Sequence, residues 1–119
     1  MRTTVTTVRG KDREILLADP NFVYIGRSCW GWKRSPWANP FRVQRMRMPG
    51  SDGSCCRSVA EAVARYIDYF AENKHYLPPV ETLRGKVLGC WCCEWDGIHE
   101  PAPPCHGVIL AKLADGKLL

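Results

Sequence analysis

Soft metal-ligand atoms crowd into two short pieces of the sequence, Cys90-Trp91-Cys92-Cys93 and Pro103-Pro104-Cys105-His106-Gly107. Thiolates and imidazoles are the donors that hold zinc tetrahedrally. If residues 87–92 form a strand, Cys90 and Cys92 lie two apart and project from one face, while Trp91 points the other way. The segment 105–114 follows two prolines, carries apolar residues at helical spacing and stops before Gly116. That pattern predicts a helix with Cys105 and His106 in its first turn. A helix N-terminus lowers the pKa of a nearby thiol. The ligand set read from the sequence is therefore Cys90, Cys92, Cys105 and His106, with zinc as the favoured ion.

This spacing departs from the usual structural zinc pairs, which run from Cys-x2-Cys to Cys-x4-Cys. Two other readings stand beside it. Cys90 and Cys92 are, in one, small core residues of a buried strand. In the other, an iron–sulfur cluster takes four sulfur ligands from the seven cysteines, with Cys93 in place of His106. Four protein ligands would make a zinc ion structural, whereas three plus a water would leave a Lewis acid. No catalytic residue is assigned. His106 or Glu94 would serve as acid or base in a catalytic version, and a cysteine-dependent enzyme with Cys105 as nucleophile is a separate alternative.

A second group of residues concerns anions. The net charge of +5 and pI of about 8.9 are basic enough to favour an anionic partner. Between Asp19 and Asp52 there is no acidic residue, while Arg27, Lys33, Arg34, Arg42, Arg45 and Arg47 alternate with Trp30, Trp32, Trp37 and Phe41. Basic side chains answer phosphates, and exposed rings stack on bases. Arg27, Asn39, Trp30, Trp32, Lys33 and Arg34 are accordingly the candidate contacts for a nucleotide or nucleic acid. The competing reading is a solvated cationic loop over aromatics that belong to the core, with Asn39 bracing the turn before Pro40. Trp and Arg are also binding anchors, so a non-enzymatic module gripping a protein partner through the tryptophan-rich insert is the rival function.

These side chains need elements to position them. Residues 3–8 are rich in β-branched side chains and predict an opening strand, residues 14–17 a second short one, and residues 22–25 a buried strand closed by Gly26-Arg27. Residues 47–56 read as an exposed loop that carries Cys55 and Cys56 as loop thiols. Ser58-Val59-Ala60-Glu61 matches a capping box, and Val59, Val63, Tyr66, Ile67 and Phe70 share a helical face. Strand 22–25, this helix and strand 87–92 form a strand–helix–strand unit whose natural solution is a parallel crossover. Both strand ends would then open on one edge, bringing Gly26-Arg27, Asn39 and the Cys/His cluster to one crevice. The expected fold is α/β, a small single domain over residues 1–119 with a short, mainly parallel sheet, the crossover helix and a C-terminal helix, stapled by the Cys/His metal site. The opening residues lack an apolar signal core and no run approaches a membrane span, so a cytoplasmic protein with reduced thiols is expected.

Five ordered elements resemble those of a family of small bacterial and phage proteins that form a domain of unknown function. They are Ile25-Gly26-Arg27, Asn39-Pro40-Phe41, Leu83-Arg84-Gly85-Lys86, Cys90-Trp91-Cys92 and Cys105-His106, spanning residues 22–114. Cys29 to Arg34, the additional Cys93 and a longer acidic loop before Cys105 depart from that pattern. The resemblance implies no established activity. A phage origin would place the protein in the host cytoplasm, with a host protein as the possible partner of the tryptophan-rich insert.

Overall fold

The computed structural model describes residues 2–43, 55–56, 58–91 and 93–117. Three strands form a wholly parallel sheet in the order β1-β5-β2, made of β1 (Thr4–Thr7), β2 (Phe22–Tyr24) and β5 (Val87–Cys90). The last strand in sequence lies in the middle, with Val87 facing Thr4 on one side and Phe22 on the other. Parallel strands need crossovers, and helices supply them. Between β1 and β2 runs α1 (Arg13–Ala18), where a second strand was expected from residues 14–17. The apolar run is short enough to read either way, and the cap decides it. The Asp12 carboxylate accepts from Glu14 N at 2.9 Å and Ile15 N at 3.3 Å, satisfying the first turn of a helix.

Between β2 and β5 come a pair of two-residue strands, β3 (Arg42–Val43) and β4 (Cys55–Cys56), and the long helix α2 (Val59–Asn73). Cys55 and Cys56 thus lie in a strand, not in the loop expected there. Ser58 caps α2 as its sequence predicts, accepting from Glu61 N at 3.1 Å. Tyr66 is wholly buried on this helix, whereas Val59 in its first turn is 45% exposed. A 3-10 turn, Val80–Leu83, leads into β5, and α3 (His106–Ala114) closes the fold.

Strand alternation divides the apolar residues between two sheet faces. Val5, Val23, Leu88 and Cys90 join the larger core with Tyr66 of α2 and Val108, Leu110 and Ala111 of α3. Phe22 and Tyr24 join the smaller cluster with Val8, Trp32 and Val87. At Gly89 in the central strand a Cβ would lie 2.3 Å from the Phe22 ring, so glycine is what lets that ring cross. Trp32 stacks on Tyr24 with ring centroids 4.4 Å apart and is 6% exposed. Among the described residues, no helix is long and apolar enough to cross a membrane.

Candidate metal centre and the crevice beside it

β5 stops at Cys90, so strand alternation does not extend to the residues after it. The chain instead reverses, and Trp95 pairs antiparallel with Val5, exchanging N–H···O bonds of 2.9 Å in both directions. The reversal carries Cys93 back towards Cys90, whose Sγ lies 3.5 Å from the Cys93 carbonyl oxygen. From the other side, Cys105 enters as the N-cap of α3, its sulfur accepting from Gly107 N at 3.4 Å. An N–H aimed at sulfur at a helix start stabilises the thiolate over the thiol.

The outcome is three sulfurs, of Cys90, Cys93 and Cys105, within 4.8 Å of one another. The Cys90 and Cys105 sulfurs are 3.6 Å apart. Thiolates about 2.3 Å from a tetrahedral ion sit about 3.8 Å from each other, which the Cys90–Cys105 spacing matches. A disulfide would need about 2.05 Å. Three sulfurs so placed can hold a metal ion.

Of the ligand set read from sequence, the structure joins Cys90 and Cys105. Cys92 lies outside the described residues. His106 stands apart from the sulfur trio, its Nε2–H donating to the Ile25 carbonyl at 2.9 Å and its ring edge-on to Tyr66 with centroids 5.2 Å apart. Burial pushes the His106 pKa below its ordinary value, with the Arg27 charge acting in the same sense and the Ile25 carbonyl and Cys90 opposing. A neutral ring donating from Nε2 keeps its proton there. Cys93 was treated as a departure from the family pattern, yet it makes the third member of the cluster. Cys90-x2-Cys93 is the usual metal spacing, and that spacing was the available signal.

Beside the sulfurs, at the carboxyl ends of β2 and β5, lies a crevice of about 540 Å³ bordered by Gly26, Arg27, Cys29, Asn39, Trp91, Cys105 and His106, among others. This is the edge where open parallel sheets leave room for ligands. The expected meeting of Gly26-Arg27, Asn39 and Cys105-His106 is therefore present. Arg27 is held by Nε donating to Asn39 O at 2.8 Å and by Nη2 donating to Phe41 O. The Asn39 side chain braces the backbone, donating to Ala62 O at 3.3 Å and accepting from Phe41 N at 2.9 Å. Both of its polar ends are thus engaged within the fold, which is the structural role weighed for an Asn before Pro.

The opposite wall hangs on Tyr24. Its hydroxyl donates to Arg27 O at 2.6 Å and accepts from Trp91 Nε1 at 2.8 Å, with the Cys29 sulfur at 3.9 Å. Burial pushes this phenol up to about 12. A Cβ on Gly26 would come within 2.4 Å of the Tyr24 oxygen, so the Gly-Arg element admits the tyrosine that ties the wall together.

The remaining cationic and aromatic candidates separate sharply. Trp32 belongs to the core and has no open face for a base. Trp30 is 86% exposed at the tip of a tight hairpin, where Cys29 and Trp32 exchange backbone bonds of 3.2 and 2.8 Å. Its φ of +48° is uncommon for a residue with a side chain. Lys33 and Arg34 follow, both exposed. Arg45 and Arg47 lie outside the described residues.

Fold and site together define a small α/β domain with an all-parallel three-stranded sheet and a cysteine cluster able to hold a metal at its carboxyl edge. The chain belongs to the family described as Domain of unknown function (DUF4326), whose model matches residues 8–116, a wider span than the 22–114 carrying the sequence elements. No curated protein and no solved structure matches it.

Proposed function

We propose that this domain is a zinc-binding module whose cationic crevice receives a nucleotide or nucleic acid. The observation that carries it is the trio of sulfurs within 4.8 Å, one of which, that of Cys105, belongs to a residue lining the crevice at the carboxyl edge of the sheet. Zinc is the ion for this donor set because it accepts thiolates in a tetrahedral frame and brings no redox chemistry of its own. Cys90, Cys93 and Cys105 would hold it, with the fourth position left to Cys92 or to a water. In a domain of 119 residues, such an ion would add folding free energy that the small core alone supplies sparingly. Support for the nucleotide reading comes from Arg27 in the crevice and from Lys33, Arg34 and Trp30 exposed on the segment that leaves it.

Elemental analysis of reduced, untagged protein tests the first half, with about one zinc per chain expected. No stoichiometric metal after growth in zinc-supplemented medium would end the metal reading. Fluorescence anisotropy with labelled oligonucleotides, run beside mononucleotides, tests the second half. A specific observation also favours a protein-binding module. Trp30 projects 86% exposed from a hairpin whose backbone bends to present it, as an anchor for a partner's pocket would be. Silence towards every nucleotide and oligonucleotide near physiological salt would favour that module.

A further inference from the structure

The three clustered sulfurs differ in what they join and in what reaches them. Cys90 ends the central strand and Cys105 opens α3, so their side chains meet where two elements abut. Both are buried, at 0% and 2% exposure, whereas Cys93, on the chain returning to β1, is only partly so. Cys105 borders the crevice, the open side from which a small solute approaches its sulfur. At 3.6 Å the Cys90 and Cys105 sulfurs stand in contact, and closing them to a disulfide takes about 1.5 Å, shared between two side chains. The Cys29 sulfur lies 3.9 Å from the Tyr24 oxygen and is not in the cluster.

Resting on the zinc reading above, we propose that this centre is a peroxide-sensitive switch, in which oxidation joins Cys90 to Cys105 as a disulfide and releases the ion. Zinc holds its ligands as thiolates, the form that attacks peroxide. The Cys105 sulfur takes an oxygen from hydrogen peroxide: an S–O bond forms, the O–O bond breaks and hydroxide leaves, giving a sulfenic acid. The Cys90 thiolate then attacks the Cys105 sulfur, forming the S–S bond as the S–O bond breaks and a second hydroxide leaves. The two thiolates lose two electrons, the peroxide gains them, and the ion keeps its charge. Disulfide sulfurs no longer carry the negative charge that held the ion, so Cys93 is left as the one sulfur of the described cluster able to hold it. The new bond keeps β5 joined to α3, as the ion did before it. A dithiol reductant returns the two electrons and restores the site.

The test oxidises full-length, zinc-loaded protein with hydrogen peroxide, follows zinc release with a chromogenic chelator and maps disulfides by mass spectrometry of alkylated, unreduced peptides. Zinc should leave in step with the disulfide, about one ion for each Cys90–Cys105 bond, and a dithiol with added zinc should restore the loaded state. Because Cys90→Ala and Cys105→Ala are expected to lose the metal, the pairing is read on the unsubstituted chain. Cys29→Ala should release zinc at the parent's rate. Loss of release in that variant would move the reacting sulfur to Cys29 and overturn the inference. So would zinc retained through oxidation, or zinc lost with Cys90 and Cys105 found in other disulfides or as sulfinic and sulfonic acids. The zinc reading would survive all three. Reduced protein that never holds zinc would remove both.

Discussion

A thiolate binds zinc and a thiol does not, so the worth of each cysteine depends on what surrounds its sulfur. Cys105 receives an N–H from Gly107 at the start of α3, and Cys90 and Cys105 are buried, where a metal would supply counter-charge to their ionised forms. Apparent binding free energies of structural zinc, about 10–16 kcal/mol, are comparable to the whole stability of an ordinary domain, about 5–15 kcal/mol. Cys90→Ala, Cys93→Ala and Cys105→Ala should therefore each lose the metal and melt far below the parent. Cys29→Ala should keep the metal, since Cys29 lines the crevice beside Tyr24 and is not among the clustered sulfurs. Zinc content and thermal melts check this, and matching values for all four variants would refute the ligand assignment.

Tyr24 gives a pH prediction at the same scale. Its phenol is raised from 10 to about 12 chiefly by burial, so the folded protein holds that proton where an unfolded chain has released it. The stability linked to it is complete below about pH 10 and is lost as the pH climbs through about 12. Ultraviolet titration should show two phenols ionising later in the folded protein than in urea, Tyr24 and the more deeply buried Tyr66, whose phenol burial raises further, and Tyr24→Phe should remove the earlier of the two. A folded titration that overlays the urea curve before and after the substitution would exclude it.

Among the elements, the Leu83-Arg84-Gly85-Lys86 stretch acts as a clasp. Leu83 is buried, Arg84 Nε donates to Ala114 O at 2.6 Å and so caps the C-terminus of α3, and Gly85 N donates to Thr3 Oγ1 at 3.0 Å. Thr3 in turn donates from Oγ1 to Asp115 Oδ1 at 2.6 Å and from N to Asp115 Oδ2 at 2.9 Å. One carboxylate thus ties the start of β1, the approach to β5 and the end of α3. Asp115→Ala or Thr3→Val should each cost about 1–3 kcal/mol, because buried donors lose their partners. In a double-mutant cycle by urea denaturation the two should couple by roughly 0.5 kcal/mol or more. Strict additivity would show that the clasp is not one network.

The same scale explains what could be read beforehand. The cap at Ser58, the strand at residues 22–25 and the prolines before Cys105 are local signals, and the structure forms α2, β2 and α3 from them. The parallel pairing of β2 with β5 follows from the crossover, and it gathers Arg27, Asn39, Cys105 and His106 around one crevice. Residues 14–17 misled because an apolar run of four has no period of its own, and the deciding feature was a cap two residues upstream of it. Cys93 entered only as a sulfur ligand of the iron–sulfur alternative, because alternation was carried beyond the strand end. Beyond β5 the chain returns to pair Trp95 with Val5, a contact distant in sequence that no local spacing announces.

At the scale of the molecule, the net charge of +5 is unevenly spread, and the acid-free stretch from residue 20 to 51 contributes Gly26, Arg27, Cys29, Asn39 and Phe41 to the crevice at the carboxyl edge of the sheet. Long-range attraction and direct stacking are separable there, because the first responds to salt and the second does not. For a single strand, the slope of log affinity against log salt is about 0.7 per neutralised phosphate, so the double substitution Lys33→Gln with Arg34→Gln should shallow the slope by about 1.4. Trp30→Ala should instead cost roughly 1–3 kcal/mol at every salt concentration and leave the slope as it was. Trp32→Phe is the control from the same segment. Its ring is enclosed against Tyr24 and Phe22, so it should lower the melting temperature while changing neither slope nor affinity of the folded protein. Anisotropy titrations at several salt concentrations read all three. If the lysine and arginine substitutions leave the slope untouched, the phosphates are met elsewhere; if Trp30→Ala is silent towards oligonucleotides yet abolishes binding to a protein partner, the exposed indole belongs to a protein interface.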